Sequence, residues 1–204
     1  MTAPVDSPTL NPLVKQLGLL KHPEGGYFLE TDRQVNEVSS PFAGEWDQLD
    51  LKSVLTLGAE GGSRSLATSI YYLLDHDSPS GVIHMNKSVT YHVLHSGRAE
   101  YTLITPGNPP TIEKHVMGAG DNETRMLLVG TGVWKMSKLL AEDLDKATTE
   151  ADKRNLGCLI TEVVVPGFHW EDHKFLTTSD LLHLVSEHPD KEAIMKELGP
   201  HVKA

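Results

Sequence analysis

Gly81 to Gly97 reads GVIHMNKSVTYHVLHSG. Its β-branched and apolar residues alternate with polar ones at a strand-like period of two, and Ser96-Gly97 supplies the turn that ends it. If Thr90 faces inward, so do His92 and Leu94, while Tyr91, Val93 and His95 face the other way. Histidine titrates near neutrality and is costly to bury without a partner. Two of them, His84 and His92, aimed into one pocket therefore point to a ligand or proton-transfer site. The competing reading is that each is a surface histidine or a hydrogen-bonded part of the core.

Working outward, the same punctuation recurs. Ser65–Leu74 (SLATSIYYLL) reads as a strand stopped by Asp75-His76-Asp77-Ser78-Pro79. Ala99–Thr105, Thr111–Met117, Arg125–Val129, Val133–Leu140 and Cys158–Val165 are further strands separated by Gly and Pro turns. Pro166-Gly167 turns the chain, and Phe168–Phe175 is expected to continue as strand. Upstream, Gly25-Gly26 turns into a strand at Tyr27–Thr31. Residues 35–63 read as a long polar loop with a strand somewhere in Leu49–Leu57. Helical spacing is confined to the ends: Leu10, Leu13, Val14 and Leu17 before Gly18, then Leu181, Leu182 and Leu184 after Ser179-Asp180, and a last piece after Pro189. Ala141–Asn155 reads as a short exposed helix or an excursion loop. Many short strands with helices only at the ends imply an all-β barrel or jelly roll with short N- and C-terminal helices. It is expected as a single domain over residues 1–204, its barrel core at about 20–176 and a helical tail at 179–198.

Composition narrows the partners. A formal net charge of −10 disfavours nucleic-acid backbones and anionic membranes, both of which demand a basic footprint. No apolar run approaches the roughly 20 residues that span a bilayer, and MTAPVDSPTLNP at the start lacks the basic and apolar regions of an export signal. The one cysteine, Cys158, cannot form an internal disulfide, which fits a reducing compartment. A cytoplasmic location is the expectation.

The strand from Gly81 to Gly97 and a second Gly-turn strand about thirty residues later resemble the two motifs of the cupin superfamily. HPEGGYFLETDR, SIYYLL, GVWKMS and EVVVPGFHWEDHKFL resemble one branch in particular, the small single-domain cupins grouped as cupin superfamily 5, whose functions are largely unassigned. The resemblance implies a double-stranded β-helix barrel, an RmlC-like pocket at one end and a homodimer. Metal-binding cupins use three His and one Glu. At the matching positions this chain has His84, Asn86, Thr90 and Lys135, so one ligand of four remains. Asn and Thr are weak ligands and a protonated Lys repels a cation. No metal and no cofactor is therefore expected at those positions.

What remains is a pocket of His84, Asn86, Thr90, His92 and Lys135 framed by Tyr72, Phe28, Trp134 or Phe168, with Glu30 close by. Metal-free cupins include sugar-nucleotide epimerases that move a proton next to a carbonyl. By that resemblance the leading expectation is a metal-independent isomerase or epimerase acting on a small polar, carbohydrate-like or carbonyl compound. His84 or His92 would be the base, Tyr72 the acid, and Lys135 or Asn86 the holder of the oxygen. A non-catalytic, storage-like binding cupin is the second reading. A metal-dependent oxidoreductase rebuilt on His92, Glu30 and Glu162 is the third. Glu162, alone in an apolar strand, either faces solvent or is a buried acid with a raised pKa. His169 and His173 read as solvent-facing, and Trp134 must turn outward if Lys135 turns inward.

Overall fold

The computed structural model describes residues 7–42 and 62–203. Each strand places alternate residues on opposite faces, and two antiparallel sheets exploit that. The first has the order β1 (Leu20–Lys21), β2 (Tyr27–Arg33), β5 (Thr68–Asp75), β12 (Gly157–Val165), β7 (Val89–Ser96), β10 (Met126–Val129). The second has the order β13 (His173–Phe175), β6 (His84–Asn86), β11 (Trp134–Lys138), β8 (Ala99–Thr105), β9 (Thr111–Met117). A small pair, β3 (Glu37–Ser39) with β4 (Ser63–Ser65), stands apart. Strands adjacent in space but distant in sequence, such as β5 beside β12 beside β7, make this the double-stranded β-helix of an all-β barrel.

Three apolar layers follow from the alternation. Tyr72 and Leu74 of β5, Tyr101 and Leu103 of β8, and Ile160 of β12 fill the space between the sheets. Leu73, one residue out of phase, packs on the outside of the first sheet against Leu10, Val14 and Leu19 beside α1 (Pro12–Gln16). Trp134 and Met136 of β11 face outward from the second sheet. There they meet Leu181 and Val185 from the region of α4 (Thr178–Leu184) and Ile194 and Leu198 of α5 (Lys191–Leu198). The same strand therefore turns Lys135 and Ser137 inward.

One local expectation is sharpened and two are corrected. The segment at 141–155 forms two short helices, α2 (Ala141–Lys146) and α3 (Glu150–Asn155), the second with a Thr149/Asp152 capping box. Phe168–Phe175 is not one strand: a 3-10 turn at Trp170–Asp172 intervenes before β13, and a buried Arg64–Asp172 ion pair at 2.5 Å ties it to β4. The polar stretch 35–63 contributes β3 and the start of β4 at its two ends, while the strand expected within Leu49–Leu57 lies outside the described residues. Among the described residues no helix is long and apolar enough to cross a membrane.

Candidate functional site

The inner faces of both sheets converge on one end of the barrel, where polar side chains replace the apolar core. β6 brings His84 and Asn86, which share a face because they are two residues apart. β13 pairs with it so that His173 lies opposite Asn86. β11 brings Lys135, paired with His84. From the first sheet come Thr90 and His92 of β7 and Glu162 of β12, with Glu162 directly opposite His92. The turn between β1 and β2 adds His22 and Glu24. Gly25 and Gly26 have φ of +95° and +70°, and a Cβ on either would lie 2.5–2.6 Å from a backbone carbonyl oxygen, so only glycine lets this turn press into the barrel end. The Glu24 carbonyl accepts from Val82 N–H at 2.6 Å, which fixes the turn beside β6.

One half of the site is an internal ion pair. The Lys135 ammonium donates to Glu162 Oε1, to His92 Nε2 at 3.1 Å and to Thr90 Oγ1 at 3.3 Å, which uses all three of its N–H bonds. A proton on Nδ1 follows for His92, and that atom lies 3.4 Å from Tyr101 Oη and 3.7 Å from Glu162 Oε2. Burial, followed by the neighbouring ammonium, pushes the His92 pKa down to about 3, so this imidazole is neutral. Burial alone would raise Glu162, yet Lys135 and His92 overcome it and hold the carboxyl at about 2. Glu162 is thus the buried acid of the two alternatives, with its pKa lowered rather than raised.

The other half centres on Glu24. His173 Nε2 lies 2.7 Å from Glu24 Oε1, and His84 Nε2 lies 3.2 Å from Glu24 Oε2. The His84 and His173 rings stack at 5.4 Å. Burial opposes ionisation of Glu24, but the imidazoles of His84, His173 and His22 hold its carboxyl well below the ordinary range. Burial likewise lowers His84 to about 4, against the pull of Glu24. His173, expected to face water, is buried because β13 folds under β6; His169 stays exposed as expected.

Both carboxylates border a cavity of about 150 Å³ walled by Phe28, Phe168, Trp170 and Ile70. His22 and Asn86 also line it. His22 Nδ1 accepts from Glu24 N–H at 3.2 Å and burial lowers its pKa, which leaves a neutral ring carrying its proton on Nε2. Glu30 sits at the rim in a bidentate pair with Arg33 at 3.1 and 2.7 Å, and Arg33 also donates to the Phe168 carbonyl. The structure therefore brings together His84, Asn86, Thr90, His92, Lys135, Tyr72, Phe28 and Phe168. Trp134 is the exception: it belongs to the layer beneath α4 and α5, because its neighbour Lys135 takes the inward face. Tyr72 lies behind the cavity with its hydroxyl donated to Gly25 O at 3.0 Å, and burial raises its pKa well above the usual value. His92 has both ring nitrogens engaged within the inner cluster.

Sequence reasoning missed Glu24, His22, His173, Tyr101 and Trp170 as site residues. The Glu24-Gly25-Gly26 turn was the readable signal, since a carboxylate before two glycines can be carried where no bulkier turn fits. His84, Asn86, Thr90 and Lys135, at the cupin metal-ligand positions, do not form a cage for a metal: the Lys135 ammonium is itself the cation there, satisfied by Thr90, His92 and Glu162.

The family model described as Cupin superfamily (DUF985) matches residues 11–176. An uncharacterized protein of Saccharomyces cerevisiae, YML079W, is 38% identical over 188 residues, covering 91% of this chain and 83% of the yeast protein. Among solved structures, a hypothetical protein from Leishmania major superposes with a TM-score of 0.67 at 25% identity, over 91% of this chain and 95% of that one. Protein SO0799 from Shewanella oneidensis superposes at 0.63 and 19% identity, over 92% and 96%, a likeness of fold.

Proposed function

The chain belongs to the cupin superfamily, in the family DUF985, and from its barrel-end cavity we propose that it binds a small hydroxyl- and carbonyl-bearing molecule and isomerises or epimerises it by side-chain acid–base chemistry. The observation that carries this reading is the pairing, in one cavity, of an ionised carboxylate with a neutral imidazole: Glu162 and His22. A carboxylate base opposite a neutral imidazole donor is a recurring arrangement for removing a proton next to a carbonyl while polarising its oxygen.

The parts divide as follows. Phe28, Phe168 and Trp170 offer flat apolar faces to a sugar-like carbon skeleton, and Glu24 and Asn86 offer oxygens that accept from hydroxyl groups. Glu162 takes the proton from carbon, and His22 donates from Nε2 to the developing oxyanion. Lys135 and His92 act behind Glu162 as positioning residues: the ammonium keeps the carboxylate ionised and its three-acceptor geometry fixes where the free oxygen sits. The chemistry needs no metal at the four cupin positions, which Lys135 preempts.

The test is proton exchange with solvent. Aldoses, ketoses and hydroxy acids are incubated with the protein in D2O, and loss of the C–H signal next to the carbonyl is followed by NMR. Exchange that disappears in Glu162→Gln, with ligand binding retained, is the expected result. Saturable binding with no deuterium in the recovered compound would leave a storage-like binder and remove the isomerase.

A further inference from the structure

We infer that Glu24, His84 and His173 form a divalent transition-metal site, which keeps one position of the cupin motifs, His84, and takes its other two ligands from outside them. It goes beyond the proposed isomerase and is tested without any organic substrate. One nitrogen or oxygen from each of the three residues lies within 4.8 Å of the other two, and all three residues are more than nine-tenths buried.

The orientation of the His84 ring supports the site. Nδ1 lies 2.9 Å from the Val82 carbonyl oxygen, an acceptor only, so Nδ1 must bear the proton. The ring's other nitrogen, Nε2, is thereby turned toward Glu24 Oε2 at 3.2 Å. An ion seated between Nε2 and Oε2 would be held by both. The spacing suits a metal: bonds of about 2.1 Å give ligand separations of about 3.0 Å at right angles and about 3.4 Å at tetrahedral ones. A backbone carbonyl on Nδ1 is also the usual outer partner of a metal-bound imidazole.

An independent observation points to the same place. Asn86 Oδ1 is buried and has no hydrogen-bond partner among the described residues. It belongs to the strand face that carries His84, and Asn86 pairs with His173 across β6 and β13. A buried carbonyl oxygen left without a donor costs about 1–3 kcal/mol, and a cation or its bound water would satisfy it. The Lys135 ammonium is committed to Glu162, His92 and Thr90. Two imidazoles and one carboxylate with further positions open is a donor set suited to zinc or iron(II). On metal entry His173 exchanges its 2.7 Å hydrogen bond to Glu24 for a bond to the ion.

The experiment uses chelator-stripped full-length protein titrated with Zn2+, and with Co2+ as a chromophoric probe, by calorimetry and visible absorption. The expected result is one ion per chain. Outer partners alone are worth 10–100-fold in affinity, so Glu24→Gln and His173→Gln are each expected to weaken binding about 100-fold or more, and Asn86→Ala by a smaller factor. Long-range 1H–15N NMR of the wild-type histidines needs no variant. It should show one nitrogen resonance each of His84 and His173 shifted on metal addition, with the His84 shift at Nε2. No stoichiometric uptake, or uptake that leaves the His84 and His173 nitrogen resonances unmoved, would overturn the site. Equal uptake by wild type and a His84→Gln/His173→Gln double variant would overturn it too, as binding elsewhere on the chain.

Discussion

Lys135 is a charge that the barrel interior tolerates only because three acceptors surround it. Lys135→Met keeps the length of the side chain but leaves Glu162 buried without its counter-charge, a situation that costs about 3–5 kcal/mol. Urea unfolding should register that loss, and Lys135→Met/Glu162→Gln should recover most of it, since removing both charges removes the unpaired one. A double variant no more stable than Lys135→Met alone would mean that packing, rather than charge, holds this corner. The same reasoning separates Glu162 from Glu30. Glu30 pairs with Arg33 in solvent at the rim, where such a pair is worth only about 0–1 kcal/mol, so Glu30→Gln should leave the urea midpoint nearly unmoved.

Elements are held by turns and caps whose residues touch nothing in the site. Gly97, between β7 and β8, has φ of +80°, and a Cβ there would meet the Gly157 carbonyl oxygen at 1.8 Å. Gly97→Ala therefore pushes β7 away from β12, the strand that carries Glu162, and is expected to lower stability by more than about 2 kcal/mol in chemical unfolding. Helix α4 opens with a reciprocal Thr177/Asp180 capping box, its Thr177 Oγ1 accepting from Asp180 N–H at 3.1 Å. Losing that cap in Thr177→Ala should cost about 1 kcal/mol by thermal or urea melts, while the cavity on the far side of the second sheet is unaffected.

The whole molecule carries its buried ionisable groups as a liability in acid. His92 has an unfolded pKa of 6.5 and a folded one of about 3, so below pH 6.5 the unfolded chain takes a proton that the folded chain refuses. That single imbalance lowers stability by up to about 1.4 kcal/mol per pH unit as pH falls through this window. Glu162, at about 2 when folded against 4.5, adds the same sign between pH 4.5 and 2. Unfolding free energies measured in the presence of a chelator should thus fall steadily from pH 6.5 to 4.5 by a few kcal/mol, and a flat profile would contradict the burial of a neutral His92. His92→Gln should flatten the upper part of the slope.

Local regularities of the chain determined the barrel. Period-two alternation with Gly and Pro turns set most of the barrel strands to within about three residues, though it ran β6 and β7 together and began β13 at Phe168, and it fixed that Thr90 and His92 share a face and that Lys135 and Trp134 do not. The loss of cupin ligands at Asn86, Thr90 and Lys135 was equally legible, because it needs only residue types at motif positions. Which groups meet at that end of the barrel was decided by tertiary structure alone. Glu24 and His173 are 149 positions apart, and nothing local says that a glycine turn and a strand of three residues will bring them to 2.7 Å. Glu162 took its ionised state from Lys135, 27 positions away, where burial by itself would have made it neutral. Alternation tells which face a side chain takes; only the closing of one sheet over the other tells what it meets there.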